Sequence, residues 1–175
     1  MVVSENDRGI VNIFSMEHRV TSELSIVIVE EPCLSRNVMI KALRAWGYAC
    51  TVADDDDAAW TALRAAAGPC LALVDWHADF LECVEFFDRI RKSPELNGTY
   101  ILSAIPRGFG GAIRESLVAG ADDFVFRPYD LDEVRVRLHI ASRIFGLEPD
   151  GSVFASEDAP STPAPSPVEG ALLAD

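Results

Sequence analysis

An α/β fold with a doubly wound, five-stranded parallel sheet is the class this sequence predicts. Three observations lead there. Short, continuously apolar, β-branched runs recur between residues 24 and 126, segments with helical spacing separate them, and the connections are short. Apolar runs without polar alternation suit strands covered on both faces. Strands that alternate with helices imply parallel pairing, with helices on both sides of one sheet. At 175 residues, 49% of them hydrophobic, the chain holds material for one core of this kind rather than two.

The elements follow in order. Leu24 to Val29 is the first strand. Residues 34 to 46 place Leu34, Val38, Ala42 and Ala45 or Trp46 at helical spacing, and Gly47 stands where a left-handed residue would close the helix. Tyr48 to Val52 is the second strand. The run Asp54 to Asp57 supplies carboxylates to the start of a helix over Asp55 to Ala67, where the helix dipole favours them, and reads as a helix start rather than a metal site. Cys70 to Val74 is a third buried strand that ends at Asp75. A helix from Glu82 to Arg91 carries Val84, Phe87 and Ile90 or Arg91 on one side, and Ser93-Pro94 breaks it. Thr99 to Ala104 is the fourth strand, and a glycine-rich connection, Arg107 to Gly111, leads to a helix that ends near Gly120. Phe124 to Phe126 is the fifth strand. The last helix, Asp130 to Phe145, has an aspartate at its cap and Glu133 three residues on. Its inner stripe is Val134, Leu138, Ala141 and Phe145, with Arg135, Arg137 and Arg143 outside it.

This organisation gives a domain over residues 24–146 between two polar ends. Residues 1–23 lack a sustained period and read as a loose extension, with Met16 an alternative start. Residues 147–175 hold six acidic residues, five prolines and no lysine or arginine, a composition that favours disorder, with apolar Val168 to Leu173 as a candidate docking peptide at its end.

Composition excludes several classes of function. Acidic residues outnumber basic ones by 28 to 15, which would repel a phosphate backbone, so nucleic acid is not expected as a partner. No apolar run approaches the roughly 18 residues a membrane helix needs, and the N-terminus lacks the apolar stretch of a signal peptide. The four cysteines, Cys33, Cys50, Cys70 and Cys83, show no CxxC spacing and read as reduced thiols of a cytoplasmic protein. RGFGG lacks the Lys-Ser/Thr of a phosphate-binding loop and follows the fourth strand, so nucleotide binding is not expected.

In an open parallel sheet, ligands gather at the carboxyl ends of the strands, near the point where strand order reverses. Three acids fall there: Glu30 and Glu31 close the first strand and Asp75 the third, adjacent to it in a 2-1-3-4-5 order. Converging carboxylates repel unless a cation neutralises them, and Mg²⁺ is a natural occupant of an all-oxygen site. Arg127, before Pro128 at the end of the fifth strand, brings positive charge to the same rim. The plainer readings are a turn-capping Asp75, solvated Glu30 and Glu31, an Arg127 that only balances acids, and a loop His77. His18 and His139 are scattered.

The stretches IVEEP, LALVDW, VEFFDRIRKSPEL and GADDFVFRPYD, spread over about residues 24 to 145, resemble the receiver domain of bacterial response regulators. That resemblance implies a flavodoxin-like fold and a phosphoryl group accepted by Asp75 from a phosphohistidine. It further implies Mg²⁺ held by Glu30, Glu31 and Asp75, and an aromatic switch at Phe124. Departures stand beside the match. Glu31 replaces the family's aspartate, and its added methylene displaces the carboxylate by roughly 1.5 Å. Ile105 occupies the position of the threonine or serine that binds the phosphoryl group, unless a two-residue shift brings in Ser103. Arg127 replaces the lysine, and arginine is longer and planar. Asp79, Phe80 and Cys83 stand where the family has Pro-Gly and Gly.

The expected function is that of a single-domain response regulator in a two-component phosphorelay, not an enzyme. It would signal by a population shift at the surface formed by its fourth helix, fifth strand and fifth helix. Expected partners are a sensor histidine kinase or histidine phosphotransferase and a downstream protein, with a homodimer also open. The alternative is a pseudo-receiver adaptor that acts without phosphorylation. No output domain is expected after residue 146.

Overall fold

The computed structural model describes residues 23–76, 80–109 and 111–147. Apart from Glu23 and Leu147, the two polar ends lie outside the described residues, as do Met16, His18, His77, Asp79 and Gly110.

Five strands and five helices alternate: β1 (Ser25–Val29), α1 (Leu34–Ala45), β2 (Ala49–Ala53), α2 (Asp56–Ala65), β3 (Cys70–Asp75), α3 (Phe80–Lys92), β4 (Tyr100–Pro106), α4 (Ala112–Ala119), β5 (Asp123–Arg127) and α5 (Leu131–Ile144). The sheet is parallel throughout, in the order β2-β1-β3-β4-β5. β1, β3 and β4 lie inside it, which explains their unbroken apolar runs. Side chains alternate across a strand, and the two faces bury separate cores. One holds Val27, Val29, Ala72, Val74, Ile101 and Ile105 under α2, α3 and the start of α4. The other holds Ile26, Ile28, Leu71, Leu73 and Leu102 under α1 and α5.

Local chemistry sets the helix ends. Asp55 caps α2 by accepting the Ala58 N–H at 2.7 Å, and Asp130 caps α5 by accepting those of Asp132 and Glu133, as their positions predict. Gly47 has φ 82° just past α1, the left-handed turn expected of it. Two helical stripes differ from expectation. α1 buries Met39 and Leu43, whereas Leu34 and Val38 face solvent. Both pairs have i, i+4 spacing, and only docking against β1 and β3 selects between them. α3 buries Cys83, Phe86, Phe87 and Ile90, with Val84 only half-buried, and its helix begins at Phe80, two residues earlier than predicted.

The GADD segment has a structural task. Arg91 of α3 donates to the carbonyls of Gly120, Asn97 and Thr99 and pairs with Asp122 at 2.6 Å. Asp122 in turn accepts the Ile101 N–H of β4 at 2.7 Å. Gly120, at φ 122°, lets the backbone pass Arg91, whose Cγ would lie 2.9 Å from an added Cβ. Gly120→Ala therefore meets both a disfavoured backbone region and a clash, and is expected to cost about 1–3 kcal/mol in urea unfolding. A loss within error of zero would show that this staple is dispensable.

Candidate functional site

Register places the candidate residues on one rim. Val29 pairs with Val74, Asp75 with Ala104 and Pro106 with Arg127, so Glu30, Asp75, Ile105 and Arg127 all stand at the carboxyl edge of the sheet. Glu30 and Asp75 are buried, at 2% and 5% exposure. Buried carboxylates require compensation, and here Arg127 supplies it. One terminal nitrogen of its guanidinium pairs with Asp75 Oδ2 and the other with Glu30 Oε1 at 2.8 Å. Burial by itself disfavours the arginine's charge. The hydrogen bond and charge of Asp75, with Glu30 behind it, outweigh that penalty and hold its pKa above the ordinary value.

Glu30 is enclosed further. Its Oε1 accepts Ser35 Oγ at 2.9 Å and the Cys33 thiol at 3.1 Å, and its Oε2 accepts the Tyr129 hydroxyl at 3.0 Å. Arg127 also donates to Ser35 Oγ at 3.3 Å. Burial first, then the charge and hydrogen bond of Glu30, push the Tyr129 phenol far up, so it stays protonated and remains a donor. Cys33 doubles as the N-cap of α1, accepting the Arg36 N–H at 3.3 Å. Arg36 reaches back to the Glu30 carbonyl at 2.7 Å and to Asp54, which ties the end of β1 to the β2–α2 turn. Tyr129, Ser35 and Cys33 were not among the sequence candidates. Their signal was present: donors placed two to five residues from an acid or base already marked at a strand end.

The remaining candidates divide. Glu31 is exposed. Ile105 is fully buried in the core beneath α2 and α3, because alternation turns it to the face opposite Ala104. Ser103 shares that side and is buried two residues earlier, beside Val74 rather than at the rim. Phe124 is half-buried at the β5 edge, edge-on to Phe126 with ring centroids 5.4 Å apart, and Arg137 lies 5.9 Å over its ring. Trp76, directly after Asp75, is buried against Phe87. The Cys83 thiol donates to the Asp75 carbonyl at 3.6 Å.

An open cleft of about 810 Å³ lies before this rim. Nine carboxylates line it, Glu30, Glu31, Asp75 and the Asp54–Asp57 run among them, against one guanidinium, that of Arg89. The aspartate run thus caps α2 and also walls the cleft. Among the described residues no three His, Cys, Asp or Glu side chains converge as a ligand set for a metal ion. As they stand, the carboxylates do not fit Mg²⁺. Arg127 joins Glu30 to Asp75, and both oxygens of Glu30 already accept hydrogen bonds.

Cys70 is buried, its pKa pushed by burial to about 11, and no disulfide joins the described cysteines. No described helix is long and apolar enough to cross a membrane.

No protein-family model matches the chain, and no curated protein matches it. Solved structures do match. A response regulator from Thermotoga maritima is 24% identical at a TM-score of 0.59, over 67% of this chain and 95% of that one. The receiver domain of a sensor histidine kinase from Pseudomonas aeruginosa, with a magnesium ion coordinated in its active-site cleft, is 22% identical at a TM-score of 0.57, over 70% and 97%. A receiver domain from Saccharomyces cerevisiae, solved with a histidine phosphotransfer protein, is 17% identical at a TM-score of 0.57, over 66% and 86%. Together with the strand order and the acidic cleft at the carboxyl rim, these likenesses establish that the chain has the receiver-domain fold of response regulators.

Proposed function

We propose that this chain is a receiver module of two-component signalling, with Asp75 as its phosphoryl acceptor and protein–protein contact as its output. The observation that carries this reading is Asp75 itself. It is a carboxylate at the end of the central strand β3, bordering an open cleft and held against a guanidinium. Arginine is well suited to bind phosphoryl oxygens in a fork. In the transfer, an Asp75 carboxylate oxygen attacks the phosphorus of a phosphohistidine. The O–P bond forms as the P–N bond breaks, the electron pair leaves on the imidazole nitrogen, and that nitrogen takes up a proton. The chain's own part is to aim the carboxylate and to supply Arg127 to the added charge. The Pseudomonas receiver holds a magnesium ion; here Glu30 and Asp75 are already engaged by Arg127.

Two exposed apolar groups support a partner-dependent output. Leu34 and Val38 face solvent on α1, next to the rim, in a position suited to a kinase or histidine phosphotransferase. Val118 on α4 and Ile140 and Ile144 on α5 are exposed on the helices that precede and follow β5, and are available to a downstream protein or a second copy.

A second reading, the adaptor that acts without phosphorylation, is favoured by Ile105, which offers no hydroxyl at the rim and is fully buried in hydrocarbon. One experiment separates the two. The protein and Asp75→Ala are incubated with a small-molecule phosphodonor or a phosphorylated histidine kinase, and their intact masses are compared. A single phosphate adduct that is absent from the variant is the expected result. No adduct on the folded wild-type protein, with an active receiver labelled in parallel, would replace the acceptor reading with the adaptor.

A further inference from the structure

We propose that Arg127 is the resident counter-cation of this site. It takes the place of a divalent metal between Glu30 and Asp75, so that the site binds Mg²⁺ only when the guanidinium is removed or shortened. The inference concerns the resting site and stands whether or not Asp75 accepts a phosphoryl group.

The geometry points there in three ways. First, the two terminal nitrogens of one guanidinium hold two different buried carboxylates, which is the bridging task of a shared metal ion. Second, both oxygens of Glu30 already accept, Oε1 from Cys33, Ser35 and Arg127 and Oε2 from Tyr129, so Oε1 carries more donors than its roughly two lone-pair sites. Mg²⁺ demands near-ideal octahedral oxygen geometry and sheds water reluctantly. To use Glu30 it would have to break this shell and also sit beside a like charge. Third, the arginine is fixed. Ser35 accepts from it while donating to Glu30, and Tyr129 anchors the opposite carboxylate oxygen. The shell therefore immobilises the anion together with its guanidinium partner. Glu31, exposed at the cleft, is left outside this arrangement. The nine carboxylates of the cleft would gather cations as a diffuse atmosphere, but that attraction is shared among them and would survive the loss of Asp75.

The test is calorimetric titration of the full chain with Mg²⁺ up to millimolar concentration, together with the shift of its thermal midpoint, for the wild type, Arg127→Lys and the double variant Arg127→Lys/Asp75→Asn. Lysine keeps the charge but is a compact point charge on a shorter stem, without the planar fork that spans both carboxylates. The wild type is expected to show no saturable binding. Arg127→Lys is expected to gain affinity on the order of tenfold or more, and the double variant to lose that gain. Saturable wild-type binding that disappears in Asp75→Asn, titrated beside it, would overturn the proposal. So would a folded Arg127→Lys that binds no better than the wild type, because the ligand set and not the guanidinium would then exclude the metal. Arg127→Gln, shorter and uncharged, provides a second opening of the site should the lysine variant not fold. Phosphoryl transfer is not read in any arm, so failure of this proposal and failure of Asp75 as acceptor remain distinguishable.

Discussion

Arg127→Ala is expected to lower the unfolding free energy by about 3–5 kcal/mol, the cost of removing one partner from a buried ion pair. The loss should be large because Arg127 is the cation paired with both carboxylates, whose side chains are 1% and 6% exposed. Urea unfolding followed by circular dichroism measures the change, with the midpoint shifting and the slope preserved. Combining Arg127→Met with Glu30→Leu and Asp75→Leu should recover much of the loss, since a buried ion network and an apolar replacement of similar volume are often close in stability. A loss below about 1 kcal/mol for the single variant, the size of an exposed pair, would mean that Arg127 does not compensate the buried acids.

Phe87→Ala is expected to cost a similar amount, about 3–5 kcal/mol, by a different mechanism. Phe87 is fully buried at the centre of the α3 face, and its ring lies 5.7 Å from that of Trp76 at an interplanar angle of 52°. Truncation leaves a cavity beneath the residue that directly follows Asp75. The backbone at this point is held by the Trp76 N–H bond to the Ala104 carbonyl at 2.9 Å. A lower urea midpoint should therefore come with an altered near-ultraviolet signal from Trp76. A control truncation at solvent-facing Val136 is expected to stay within about 0.5 kcal/mol of the wild type. If Phe87→Ala behaved like that control, the core beneath β3 would not be packed as described.

Much of this architecture was legible in the sequence because strands and caps are local. The runs SIVIV and CLALVD have no polar alternation, and this predicted interior strands of a parallel sheet, where β1 and β3 now lie. Asp55, Asp130 and Gly47 stood at positions whose chemistry is settled within four residues, and each ends a helix as expected. The α1 stripe was not settled in that way. Leu34 with Val38 and Met39 with Leu43 satisfy the same spacing, and docking on the sheet buried the second pair.

The candidate site divides along the same line. The sequence by itself determined that Glu30, Asp75 and Arg127 end their strands, because a buried apolar run stops at the first charge it cannot bury alone. It could not determine how those charges are shared. Arg127 stands 97 residues from Glu30 and 52 from Asp75 along the chain. Its bridge between them exists only because β3 and β4 separate β1 from β5 in one sheet whose strand ends align. The same sheet turns Ile105 inward and brings the Tyr129 hydroxyl to Glu30. Tertiary structure alone decided that one guanidinium bridges both acids, since compensation of buried charge depends on distance in space and not on separation along the chain.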